Sequence, residues 1–225
     1  DANTTASSNT AVGFGSLGAN TTGTNNVAIG ANALDAVTTS NNNVAIGLDA
    51  LSGAAGNQNV AIGTDSLKAN AAANNVAIGY LALAANTTGA GNIAVGAGAA
   101  DLLTTADSSV TIGINAAGGG VITGDGNVAI GAEAAFALTS GVSNIAIGSS
   151  TGYSISTGIQ NTCVGNAAGY AVSSGDGNLL LGKDAGRTGS PGGNITTGDN
   201  FVCLGDELIT EAHIQVDWTI ASDAR

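Results

Sequence analysis

Few side chains in this sequence can do chemistry, and their spacing says what each could do. Asp49 and Asp65 hold the same offset in successive stretches of similar text, which brings two carboxylates close together. Glycoside hydrolysis needs such a pair ~5–10 Å apart, in a groove that also offers aromatic platforms to the sugar. Both acids follow a recurring glycine with no aromatic beside them, and equivalent places hold Asn32, Glu133 and Asp184. They therefore read as solvated rim residues. Asp125, Asp176 and Asp199 recur in Thr/Ser-Gly-Asp turns. Calcium needs about six converging oxygens, and Asp and Gly suit such turns without an ion. His213, the single histidine, has Glu211 and Asp217 near it but no second His or Cys. Cys163 and Cys203 stand where alanine otherwise stands and read as small apolar fillers, too far apart to bridge. No phosphate loop, nucleophile elbow or zinc motif appears. The expectation is no catalytic residue, no metal and no cofactor.

Composition narrows the class further. Only 4 of 225 residues are Lys or Arg against 16 Asp or Glu, a net charge of −12 that offers nothing to a phosphate backbone. Nucleic acid is excluded as a partner. No stretch approaches the ~20 apolar residues of a membrane span, so no membrane insertion is expected. Charged residues make up 9% and aromatics 3%, while 44% are hydrophobic and 36 are glycine. That balance is too apolar for disorder and too poor in large side chains for an ordinary thick core.

A repeat supplies the explanation. Asn-Val-Ala-Ile-Gly recurs at Asn26–Gly30, Asn43–Gly47, Asn59–Gly63, Asn75–Gly79 and Asn127–Gly131, with close variants ending at Gly96, Gly113 and Gly148 and looser ones at Gly165, Gly182 and Gly205. Taking Gly15 as the anchor of a worn first copy, successive glycines are 15–18 residues apart until a final gap of 23. Ala-Leu follows the glycine at three and four residues in early copies, and Ala-Ala in later ones such as Ala99-Ala100. Three apolar residues bounded by turn chemistry predict a short strand. About sixteen residues per unit predict two strands and two turns, too few for a strand–helix unit. One unit cannot bury its own apolar face, so units stack. The prediction is an all-β parallel β-solenoid of about a dozen coils, a rod of roughly 55–60 Å at ~4.8 Å per strand.

Stacking explains the composition. Identical residues lie over one another, so charge is selected against and Asn, which both donates and accepts, can form a ladder. Both faces of Val-Ala-Ile are apolar, which predicts a strand covered on both sides. One cover is the coil interior and the other a partner chain; which row meets which cover is open.

The repeat, with its downstream Ala at fixed spacing, resembles the head repeats of trimeric autotransporter adhesins of the YadA type. In its longer form it is similar to repeats of bacteriophage tail fibres. The resemblance covers residues 11–205 with eight good copies. It implies a left-handed β-roll, three chains about a common axis, and attachment to a host-surface glycan or protein receptor. The final Ser222-Asp223-Ala224-Arg225 resembles the opening of the endosialidase-type intramolecular chaperone of phage tail spikes, which implies cleavage between Ser222 and Asp223. The expected organisation is a lead-in over 1–10, a solenoid over 11–205 and a cap over 206–225. Tyr153, Tyr170, His213 and Trp218 are the candidate receptor contacts. The expected place is the virion tail fibre or, alternatively, a bacterial outer-membrane surface as an adhesin head. A polysaccharide-cleaving tailspike is a further alternative. Three chains would carry about −36, so recognition must be local rather than driven by bulk charge.

Overall fold

The computed structural model describes residues 5–190 and 193–210. Each apolar triplet forms one strand: β1 (Thr10–Val12), β2 (Val27–Ile29), β3 (Val44–Ile46), β4 (Val60–Ile62), β5 (Val76–Ile78), β6 (Ile93–Val95), β7 (Val110–Ile112), β8 (Val128–Ile130), β9 (Ile145–Ile147), β10 (Thr162–Val164), β11 (Leu179–Leu181) and β12 (Val202–Leu204). All pair in parallel and in sequence order within one sheet. Register is exact to the repeat: Ala28 lies beside Ala45, and Ala45 beside Ala61. The described residues form a parallel β-solenoid with no helix.

One strand per coil, rather than the expected two, is the first correction. The limb after each glycine is instead a pair of left-handed turns. Asp49 and Leu51, with φ of 53° and 52°, set the pattern, and Asn32–Leu34 and Asp65–Leu67 repeat it. The Asp49 N–H donates back to Ala31 O at 3.0 Å, and the Leu51 N–H forward to Ser66 O at 2.9 Å. Alternating left-handed residues thus bond both neighbouring coils without extending into a strand. Asn and Asp tolerate this conformation, whereas it costs Leu about 1–2 kcal/mol. Burial offsets that cost, since Leu34, Leu51, Leu67 and Leu83 are fully buried.

Core volume is shared between two positions of the coil. Where Leu67 or Leu83 fills the interior, the place three residues on is polar, Asn70 or Asn86. At Ala100, Ala135, Gly152 and Gly169 the left-handed position is small and the same later place is apolar: Leu103, Leu138, Ile155 and Val172; Leu34 with Val37, and Ala117 with Gly120, depart from this exchange. A Cβ on Gly152 would lie 2.7 Å from Ile155 Cδ1, so the glycine makes room for the side chain that replaces leucine.

The expected asparagine ladder is the second spine. Asn26, Asn43, Asn59, Asn75, Asn92, Asn127, Asn144, Asn161 and Asn178 are buried, with Ser109 in the same row. Asn144 shows the full set of bonds. Its backbone N–H donates to Asn127 Oδ1 at 2.9 Å, its Nδ2 donates to Gly158 O at 2.7 Å, and its Oδ1 accepts the Asn161 N–H at 3.0 Å. Each buried group left without a partner costs ~1–3 kcal/mol. Asn144→Ala should therefore destabilise the fold by about 3 kcal/mol, read as a lower urea midpoint at fixed protein concentration. A change below about 1 kcal/mol would show that the ladder is ornamental. Ser109 marks the weak rung, because the Asn127 N–H reaches its Oγ only at 3.3 Å.

The first anchor is also corrected. Gly13, not Gly15, follows β1 and has φ of 131°, like Gly30 at 135° and Gly47 at 138°. Gly15, with φ of 70°, takes the left-handed place that Asn32 takes one coil later.

Candidate functional site

The strands settle which row faces the interior. Ala28, Ala45, Ala61, Ala77, Ala94, Ala129 and Ala146 point inward and are fully buried, as is Cys163. Their flanking residues point outward, and all but Thr10 and Thr162 are Val, Ile or Leu. The interior takes alanine because the leucines of the opposite limb already fill it. Within one chain only one side of the sheet is covered. Ile29, Ile78, Ile93, Ile112, Ile145 and Ile147 each keep 37–39% of their surface exposed. Twelve such strands give an aliphatic strip ~50 Å long and ~10 Å wide. A face of ~500 Å² lies at the upper end of what soluble monomers leave open, and such patches mark interaction surfaces.

A second feature lies toward the C-terminal end. The rings of Phe136 and Tyr153 stack at 5.1 Å between centroids, and those of Tyr153 and Tyr170 at 4.9 Å. The Arg187 guanidinium covers the far face of Tyr170 at 4.9 Å from the ring centroid. These residues stand five places after Gly131, Gly148, Gly165 and Gly182, so coil stacking alone superimposes them. Tyr153 and Tyr170, named from sequence, are thus brought together. Phe136 and Arg187 were missed, although their shared offset was readable. Asp184 accepts a charge-assisted bond from Arg187 and lies 3.2 Å from Lys183 Nζ. The Arg187 bond holds the Asp184 carboxyl below the usual carboxylate range, with Lys183 adding to the effect.

The remaining chemical candidates resolve into structure. Lys68 bridges Asp65 at 2.7 Å and Asp49 at 3.4 Å. Hydrogen bonds from Asn32 and Lys68 lower the pKa of Asp49, the reverse of what a general acid needs. Both acids occupy left-handed turn positions, which accounts for their shared offset. Asp125 Oδ1 accepts the Asp107 N–H at 2.8 Å, while Asp176 and Asp199 accept the N–H groups of Ile159 and Asp176 at the same distance. These turn acids fasten one coil to the next. No group of three metal-binding side chains occurs among the described residues. Asn20 and Asn86, which stand in Asn-x-Thr sequences, are buried and donate to the backbone carbonyls of Gly23 and Gly89. His213, Trp218, Ser222 and Asp223 lie outside the described residues.

Cys163 and Cys203 face inward two strands apart, and both are thiols. Burial pushes the Cys163 thiol up to about 12. Since the thiolate is the reactive form, Cys163 should not react with a disulfide reagent at neutral pH in the folded chain. It should react fully in urea; rapid labelling of the native protein at Cys163 would contradict this packing.

No protein family, curated protein or solved structure matches this chain. Its class therefore rests on its own geometry: it is a β-solenoid repeat protein.

Proposed function

We propose that this chain is the shaft of a homotrimeric attachment fibre, of the kind that bacteriophages carry on their tails, built from left-handed coils. The outward aliphatic strip carries the reading. A polar or charged outer row would suit a monomeric rod, yet the row is Val, Ile or Leu from β2 to β9 without a break. Three copies that turn these strips toward a common axis would bury them all and leave the turns outside. Threefold closure is what the resemblance of the repeat implies, and the unbroken length of the strip suits an obligate partner rather than a transient one.

The role that follows is mechanical and adhesive. Backbone ladders, the asparagine spine and close-packed glycines resist bending, so the rod holds a receptor-binding surface at a distance, and three copies add avidity. The receptor class is a glycan or protein of a host cell surface. Adsorption of the fluorescently labelled chain to a panel of bacterial strains tests this role. Saturable binding to some strains supports it, and the absence of saturable binding to every strain contradicts it.

A further inference from the structure

The coil that breaks the repeat also makes a cleft. Gly182 and Gly205 are 23 residues apart, against 18 for the longest other coil. The Ile195 N–H donates to Gly186 O at 2.9 Å and so brings positions 186 and 195 of this coil together. Within it, Ser190 Oγ donates to Arg187 O at 2.8 Å. Beside it lies a cavity of about 460 Å³ that includes Tyr170, Lys183, Asp184, Arg187, Asn194 and Glu207 in its lining. Two of the chain's four basic residues thus meet in one place.

We infer that this cleft binds a neutral, hydroxyl-rich saccharide, an assignment that rests on the attachment role proposed above. The lining mixes signs. An anion entering the cleft meets the carboxylates of Asp184, Asp206 and Glu207, and a cation meets Lys183 and Arg187. A hydroxyl group donates to a carboxylate and accepts from an ammonium, guanidinium or amide at once, so a neutral polyol satisfies both sets. Arg187 is fixed in advance by its ion pair with Asp184 and its seat on Tyr170, which lowers the ordering cost of binding. Glu207 makes no ion pair among the described residues, and Asn194 is exposed, so both have bonding capacity to spare. The faces of the Tyr170 ring are taken by Tyr153 and Arg187, so recognition runs through hydrogen bonds rather than sugar–ring stacking. The cavity volume falls within the range of small-ligand sites and suits a short oligosaccharide.

Saturation-transfer NMR on the intact chain tests the assignment. Galactose, N-acetylglucosamine and maltotriose serve as neutral probes, and N-acetylneuraminic acid and glucosamine as charged ones. The expected result is transfer to at least one neutral saccharide, with roughly tenfold weaker binding in both Asn194→Ala and Glu207→Gln. Both substitutions lie outside the stacked core, and circular dichroism checks the fold. Absence of transfer to every neutral probe, preference for a charged probe, or unchanged affinity in both variants would overturn the assignment. If Asn194→Ala adsorbs to cells as the parent does while saccharide binding is lost, the cleft is not the adhesive site. If the parent binds saccharide but no cell, the attachment role fails and the cleft stands.

Discussion

A chain carrying both Ile78→Lys and Ile112→Lys is expected to sediment as a folded monomer. Ile78 and Ile112 lie on the outer face of β5 and β7, 38% and 37% exposed in the single chain. Covering the remaining surface of one such side chain contributes ~1–2 kcal/mol to association. In the proposed trimer lysine would remove that contribution and bring to the axis a charge that has no partner there. Burying an unpaired ammonium costs several kcal/mol, and closure around a threefold axis would repeat the cost in every chain. Within one chain the lysine stem can lie along the strip and its head reach water, so the coil itself should hold. The double variant should therefore keep the circular dichroism of the parent while its mass falls to one third. A mass equal to the parent's would show that the strip is not where chains meet.

Gly79→Ala should give the largest loss of stability within a coil. Gly79 has φ of 138°, and a Cβ there would lie 2.5 Å from Gly96 O and 2.6 Å from Gly96 C. Two costs combine. A left-handed extended backbone is essentially restricted to glycine and costs about 1–3 kcal/mol in other residues. The clash is with backbone, and the next coil cannot retreat without breaking its own contact with Gly113, where the same approach recurs. A total of about 4 kcal/mol or more is expected, read from urea unfolding at fixed concentration. Gly91→Ala is the internal control. Gly91 has φ of 70° and only Ser108 Oγ, at 3.7 Å, within reach of a Cβ. It should lose only the ~1–2 kcal/mol of left-handed strain. Equal losses at the two positions would show that the glycine column does not set the spacing of the coils.

The repeat made much of this fold legible. Val44-Ala45-Ile46 and its copies gave strand, register and order together, because in a stacked solenoid the sequence period is also the spatial neighbour. The Asn43 row could be read for the same reason. The limb after each glycine could not. Leu34, Leu51, Leu67 and Leu83 adopt left-handed φ near 50° against their intrinsic preference, held there by burial and by bonds to both adjacent coils. No single-residue rule anticipates that. The orientation of Val-Ala-Ile stayed open because both rows are apolar. The exchange of volume between Leu83–Asn86 and Ala100–Leu103 shows that the interior was already filled from the other limb, which leaves room only for alanine. The first anchor was misplaced because Gly13 and Gly15 flank Phe14, and only their different φ values separate a strand corner from a turn. Tyr153 and Tyr170 were singled out as rare aromatics, but their stack with Phe136 and Arg187 required aligning each coil on its glycine.

Sedimentation equilibrium of the unmodified chain tests the proposed trimer, because the outward aliphatic strip has no cover within one copy. A single species of about 64 kDa, three times the 21.3 kDa of one chain, is expected across micromolar concentrations. A stable species at the mass of one chain, with no association as concentration rises, would contradict it.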